Sequence, residues 1–214
     1  MFAGGVAVVM ARKHLARALT VALRAALKKA PPGDGEFITR WIADADDSVF
    51  ERLVTDKIAE LTPQLVTFNG SSFDLPVLRY RAMVHRVAAP GLLARPYFNR
   101  FNDDAIDLCD VLSSFAPQAK ARLHELCRVM GIPGKPDGID GGEVARYCLE
   151  GRIKEVADYC ETDIVNTYRV WLRYELFRSR LGEAEHRASE HDLAEFIRVR
   201  SSAKPHLAGM ICHD

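Results

Sequence analysis

Apolar and polar positions follow two rhythms along this chain. Leu65-Val66-Thr67-Phe68 and the stretch 105–112 are short apolar runs with no helical period, as in a strand buried on both faces. Elsewhere the spacing is helical. Phe50, Leu53, Val54, Ile58 and Leu61 share one face of a helix that Asp46 and Asp47 would cap. Leu75, Leu78 and Ala82 mark a helix over 73–86, and further helices are expected near 119–130 and 143–149. The longest pattern covers 152–180, with Ile153, Val156, Cys160, Ile164, Trp171 and Leu172 in register, and a last amphipathic helix falls near 189–199. A β-prone run at 37–42 follows Gly33-Asp34-Gly35 and predicts a hairpin with part of 18–27. Pro90, Gly91, Pro96 and Asn102 break every period in 87–105, and 131–142 reads as a Gly/Pro loop. Strands alternating with helices predict an α/β layered domain with a mixed sheet.

One corner sets two local rules against each other. Asn69-Gly70 after a β-prone run is a hairpin signal. The residues that follow do not alternate. They take helical spacing, with Ser71, Ser72 and Asp74 available as caps and Pro76 suited to a first turn. The chain is therefore expected to leave a strand, turn a polar corner and enter a helix, with Asp74 at its mouth.

Composition narrows the class. With 48% hydrophobic residues and a formal net charge of zero over 214 residues, the chain reads as soluble and globular, without a global polyanion-binding charge. Five scattered cysteines form no C-x-x-C pair, so buried free thiols in a reducing, cytoplasmic compartment are expected. No apolar run reaches the length of a membrane span. Residues 1–33 are rich in Ala, Arg and Leu with no acid before Asp34, a composition shared with organelle transit segments. The expected organisation is an atypical basic segment over 1–33, a main domain over 34–182 and a C-terminal helix and tail over 183–214.

The chemistry lies in acids. In YCETD, Tyr159 and Asp163 stand four residues apart and project from one helix face. That spacing suits a carboxylate ligand and a hydroxyl that orients water, although alone it is a weak signal. Its context is specific. VTFNGSSFDLPVLRYRA, DLCDVLSSF, GIPGKPDGIDGGEV and EVADYCETDIVNTYRVWLRYEL occur in that order. Together they resemble the proofreading-type 3′–5′ exonuclease domain of family B DNA polymerases, and most closely the stand-alone bacterial proteins described as predicted exonucleases related to it. The resemblance runs from about Asp56 to Leu181.

The resemblance implies an RNase H-like three-layer domain with a mixed central sheet, hydrolysing DNA from the 3′ end with two Mg2+ or Mn2+ ions. By the same resemblance Asp74 and Asp163 are metal ligands, Tyr159 orients the attacking water, and Asn69 and Phe73 flank the primer end. One motif departs from the family. Its opening strand carries a D-x-E whose Asp bridges the metals, whereas here the apolar run Val6–Met10 is followed by Ala11-Arg12-Lys13-His14. The literal Asp34-Gly35-Glu36 sits in an expected turn. The N-terminal part is therefore read as truncated or degenerate. Either the chain is a non-catalytic relative, or its first segment comes from a shifted frame or misplaced start. DNA upstream of the start codon, read in all frames for a D-x-E strand, decides between these hypotheses.

Substrate signals are local. Between Leu75 and Asn102 there is no acid, while Arg79, Arg81, Arg86, Arg95 and Arg100 alternate with Tyr80, Tyr97, Phe98 and Phe101. Phosphate attraction plus stacking faces is what a single strand needs, so Arg95 and Arg100 are candidate contacts to single-stranded DNA or a DNA 3′ end. Equally, the arginines can solvate a helix and the aromatics pin a loop. Three functions compete: a metal-dependent exonuclease, weak or inactive for want of its first motif; a non-catalytic single-strand binder; and a protein-interaction module on the same scaffold.

Overall fold

The computed structural model describes residues 8–9, 55–56, 58–133, 146–147 and 150–211. The expected hairpin at 37–42, Asp34, Glu36, Asp44, Asp46 and most of 1–33 lie outside the described residues. Among the described residues the sheet has three short strands, β1 (Val8–Val9), β2 (Leu65–Thr67) and β3 (Ala105–Asp107), in that order. β2 and β3 run parallel, with Leu65 opposite Ala105 and Thr67 opposite Asp107. β1 is antiparallel to β2, with Val8 opposite Val66 and Val9 opposite Leu65. The sheet is mixed, as the alternation of elements predicts.

β2 and β3 are buried along their whole length because both faces of the sheet are covered. Successive side chains go to opposite faces. Leu65 and Ala105 join Ile58, Leu75, Leu92 and Tyr97 in one core. Val66 and Ile106 join Phe68, Leu108, Leu123, Cys127, Ile132 and Val170 in the other. The first core is closed by α1 (Asp74–Val84) and a 3₁₀ turn at Pro90–Leu93. The second is closed by α2 (Leu108–Leu112), α3 (Leu123–Val129) and α4 (Ile153–Phe177). This is a mostly helical α/β arrangement around a small sheet.

Two boundaries differ from expectation. The run 105–112 is not one strand: β3 stops at Asp107 and α2 begins at once. The Asp107 carboxylate accepts the Cys109 N–H at 3.0 Å, an N-cap that starts a helix where the apolar run alone fits either state. The last helix, α5 (Glu183–Arg200), begins earlier than its apolar pattern suggests. Glu185 reaches back to accept the Gly182 N–H at 2.9 Å, and acids in the first turn with arginines in the last suit the helix dipole.

The tail folds back onto α4. Val165, Ile197, Leu207 and Met210 form a further cluster, and the buried Arg169 on α4 donates from Nε to Glu190 on α5 at 3.0 Å. Among the described residues Cys109, Cys127 and Cys160 form no disulfide, the first two buried and Cys160 half-buried, while Cys148 and Cys212 lie outside the described residues. Among the described residues no helix is long and apolar enough to cross a membrane.

Gly91 fixes the seat of the 3₁₀ turn. A Cβ there would lie 2.1 Å from the Thr55 carbonyl oxygen and 2.6 Å from the Ala59 nitrogen, so the turn rests on the backbone of the preceding helical segment. Gly91→Ala must push two backbones apart and should cost about 1–3 kcal/mol of stability. Gly209, whose Cβ would meet nothing within 4 Å, is the control, and Gly209→Ala should stay within about 0.5 kcal/mol. Urea unfolding of both variants checks this, and equal midpoints would contradict it.

Candidate active site

Asn69-Gly70 does not make a hairpin. Asn69 adopts φ +67, a left-handed conformation that asparagine tolerates better than most residues. Gly70 passes so close to Thr67 that a Cβ would stand 2.4 Å from that residue's own Cβ. The chain thus turns tightly out of β2 and enters α1 at Asp74.

A neighbouring strand holds this corner. Asp107, at the end of β3, accepts the Asn69 N–H at 2.7 Å and the Cys109 N–H at 3.0 Å on Oδ1. Its Oδ2 accepts the Ser71 N–H at 3.0 Å and the Ser71 hydroxyl at 2.5 Å. A carboxylate has about four lone-pair positions; three here are taken by backbone N–H groups and the fourth faces the Ser71 hydroxyl. One turn later Asp110 is fully buried, with Arg100 Nη2 at 2.7 Å and Lys120 Nζ at 2.8 Å. The Ser71 hydroxyl lies 2.8 Å from Asp110 as well, and its single proton serves one carboxylate at a time. Burial alone would raise the Asp110 carboxyl. Hydrogen bonds from Lys120, Ser71 and Arg100 outweigh it and hold the group below the usual carboxylate range.

Asp74 has the opposite surroundings. It is the first residue of α1, behind Phe73 at the N-cap, and no side chain caps this helix. The capping role open to Ser71, Ser72 or Asp74 in the sequence is unused; Ser71 faces Asp107 and Asp110 instead. Asp74 Oδ2 is buried without a hydrogen-bond donor. Burial first, and the charge of Asp107 second, push its carboxyl well above the usual range against its own backbone hydrogen bond. A desolvated oxygen beside a second carboxylate is a place where a cation would be stabilised. Asp107 is engaged by three backbone N–H groups, so it holds the corner.

α4 brings the second motif over the same sheet. It packs against β1, β2 and α2, and Asp163 is buried on it with Tyr159 half-buried four residues earlier. Phe73 is half-buried and its carbonyl accepts the Val77 N–H at 2.9 Å. The two loop arginines are engaged within the fold. Arg95 pairs with Asp104 and donates to the Thr62 carbonyl at 3.1 Å. Arg100 pairs with Asp110, its guanidinium 5.8 Å from the Phe101 ring centre and 5.6 Å from that of Phe115. Sequence reasoning missed Asp107, Asp110, Ser71 and Lys120. The available signal was D-x-x-D at the end of a β-prone run, where the first Asp can cap whatever follows.

A family model described as "Predicted 3'-5' exonuclease related to the exonuclease domain of PolB" matches residues 12–211. The chain belongs to this exonuclease family. The match takes in both acidic motifs and reaches beyond them, over much of the basic N-terminal segment and through α5. Searches of curated proteins and of solved structures gave no match.

Within this exonuclease-family chain a group of metal-ligand types lies on the other side of YCETD. Donor atoms of Asp158, Glu161 and His206 fall within 4.8 Å of one another, the one such group among the described residues. Lys204 Nζ already stands 2.6 Å from Glu161, and His206 Nε2 lies 2.8 Å from the same carboxylate. With its cation supplied by the chain, this group ties the Pro205–Met210 turn to α4.

The Asp110 cluster gives a pH signature. A carboxyl depressed on folding adds stability above its unfolded value, near about 3.9, and loses it as pH falls through the folded value. Asp110→Asn removes that contribution, so the stability gap between wild type and variant should be widest near neutrality. It should close progressively below about pH 4. Denaturant titrations across that range test this; a gap independent of pH would contradict it.

Proposed function

We propose that this domain engages the 3′ end of single-stranded DNA, and that the two-metal hydrolysis typical of its family is weak or absent in this chain. The buried, donor-less Asp74 Oδ2 beside Asp107 carries the reading, because a cation there would offset the cost of burying the carboxylate, and without one the neutral carboxyl is favoured. Asp74 and Asp163 would hold Mg2+ or Mn2+, hard ions that suit carboxylate oxygens. When bound, such an ion neutralises charge on the scissile phosphate and acidifies water. Tyr159 would hydrogen-bond the attacking water. Asn69 and Phe73, at the corner before α1, would flank the terminal nucleotide, Phe73 by packing on base or sugar. Arg95 and Arg100 would present partly neutralised cations to the strand.

Weakness follows from the count of carboxylates. The family's first D-x-E is absent from Met1–His14, which holds no acid. Asp107 is engaged by three backbone N–H groups and shares the Ser71 hydroxyl with Asp110. Asp74 and Asp163 are the two acids that the matching motifs assign to two divalent ions, and losing one electrostatic element of such a site costs on the order of a hundredfold in rate. A non-catalytic binder is the second reading, favoured by the same shortage.

Digestion of 5′-labelled single-stranded DNA with Mg2+ and with Mn2+, beside Asp163→Ala, tests the catalytic half. Little or no digestion by either protein is expected. Robust digestion abolished by Asp163→Ala would refute the weakness and point to a carboxylate outside the described residues.

Binding is tested separately by anisotropy over a salt series. Replacing Arg95 and Arg100 by Ala should lower affinity and reduce the salt slope by about one for each phosphate that the variant no longer neutralises. An unchanged slope would assign both arginines wholly to their internal acids.

A further inference from the structure

The far end of α1 presents a surface that the exonuclease reading does not use. A groove of about 520 Å³ runs between the C-terminal half of α1 and the Pro90–Leu93 turn. Ala82, Met83, Val87, Pro90, Leu92 and Leu93 line it, with Arg79 and Arg86 at its margins. Leu92 is a member of the core, and Gly91 seats the turn on the backbone beneath, so the floor is preformed. Met83 and Leu93 are 68% and 76% exposed, large values for apolar side chains on one small surface. Tyr80, 51% exposed, lies beside them on α1.

The cations at the rim differ from the others on this side of the molecule. Arg95 and Arg100 are each held by an acid. Arg79 stacks its guanidinium 4.6 Å from the centre of the Phe98 ring, and among the described residues neither Arg79 nor Arg86 makes an ion pair. No acid occurs anywhere between Leu75 and Asn102. Arg86 also sits at φ +53 just past the helix end, where glycine is the favoured residue, and so places a long cationic side chain at that rim.

We propose that this groove docks a short acidic–apolar peptide segment of a partner protein, its aliphatic or aromatic side chains on the floor and its carboxylates at Arg79 and Arg86. Charge complementarity selects the occupant: two guanidinium groups flank an apolar floor, and among the described residues neither is paired with a carboxylate. The floor is aliphatic, and the two rings nearby, Phe98 and Tyr80, both have the Arg79 guanidinium over them, at 4.6 Å and 5.8 Å, so stacked bases fit it less well than peptide side chains. From Asp74 to Met83 along α1 is roughly 14 Å at the helical rise, which leaves the corner at Asp74 open when the groove is filled. The inference does not depend on catalysis.

Fluorescence anisotropy tests it with a labelled peptide in which Leu and Phe alternate with Asp and Glu. Companion probes carry Lys in place of the acids, or Ser in place of the apolar residues, and a labelled oligothymidine completes the set. Saturable, salt-sensitive binding is expected for the acidic–apolar peptide alone. Either Arg79→Glu with Arg86→Glu, or Met83→Asp, should weaken it by about tenfold or more. These side chains are exposed, and unchanged circular dichroism confirms that the variants fold. Failure of the peptide to saturate, or binding indifferent to the charge reversal, would overturn the proposal. Oligothymidine bound with the same dependence would make the groove a nucleic-acid track instead. Self-association abolished by the same variants would make a second copy the occupant.

Discussion

Everything at the candidate active site hangs on one buried carboxylate at the end of β3. Asp107 binds two donors of the β2–α1 corner, the Asn69 and Ser71 N–H groups, together with the Ser71 hydroxyl and the first free N–H of α2. Hydrogen bonds to charged groups contribute about 1.5–3 kcal/mol each, more than a neutral bond, and an unpaired partner left buried costs as much again. The left-handed Asn69 and the crowded Gly70 are tolerable because this clamp over-determines them. The parallel pairing of β2 with β3 supplies the geometry, since it puts Asp107 opposite Thr67, immediately before the turn.

Three acids therefore share one end of the sheet with different fates. Asp107 is satisfied by backbone and hydroxyl donors, and Asp110 by Arg100 and Lys120. Asp74 is half-buried, with Oδ2 buried and unserved. Asp107 holds the corner that presents Asp74, and Asp110 engages Arg100 and Lys120. Cys109, between them, has its thiol pushed up by burial against the pull of Lys120, so it stays protonated and inert at neutral pH.

Much of this was legible in the sequence, and what was not has physical reasons. The strand–corner–helix order around Asn69-Gly70 and the long helix carrying Tyr159 and Asp163 follow from periodicity, and the motifs identify the family. The break after Asp107 was not legible, because a buried apolar run is compatible with strand or helix until a capping hydrogen bond decides. The loop arginines looked free because the local stretch has no acid. Their partners, Asp104 and Asp110, stand just beyond its end and come within reach only when the loop closes over β3. The run around Val8 carries no pattern that decides between strand and helix, and its antiparallel direction against β2 depends on tertiary pairing that local pattern does not encode.

Amide hydrogen exchange at Asn69, Ser71 and Cys109 tests the clamp most directly, comparing wild type with Asp107→Asn. Strong protection of these three N–H groups is expected in the wild type. In the variant exchange should accelerate by about ten- to a hundredfold, the equivalent of a lost charge-assisted hydrogen bond, while amides in α4 and α5 keep their protection. Equal protection of the three amides in both proteins would show that the corner stands without Asp107, and would contradict its role as the clamp.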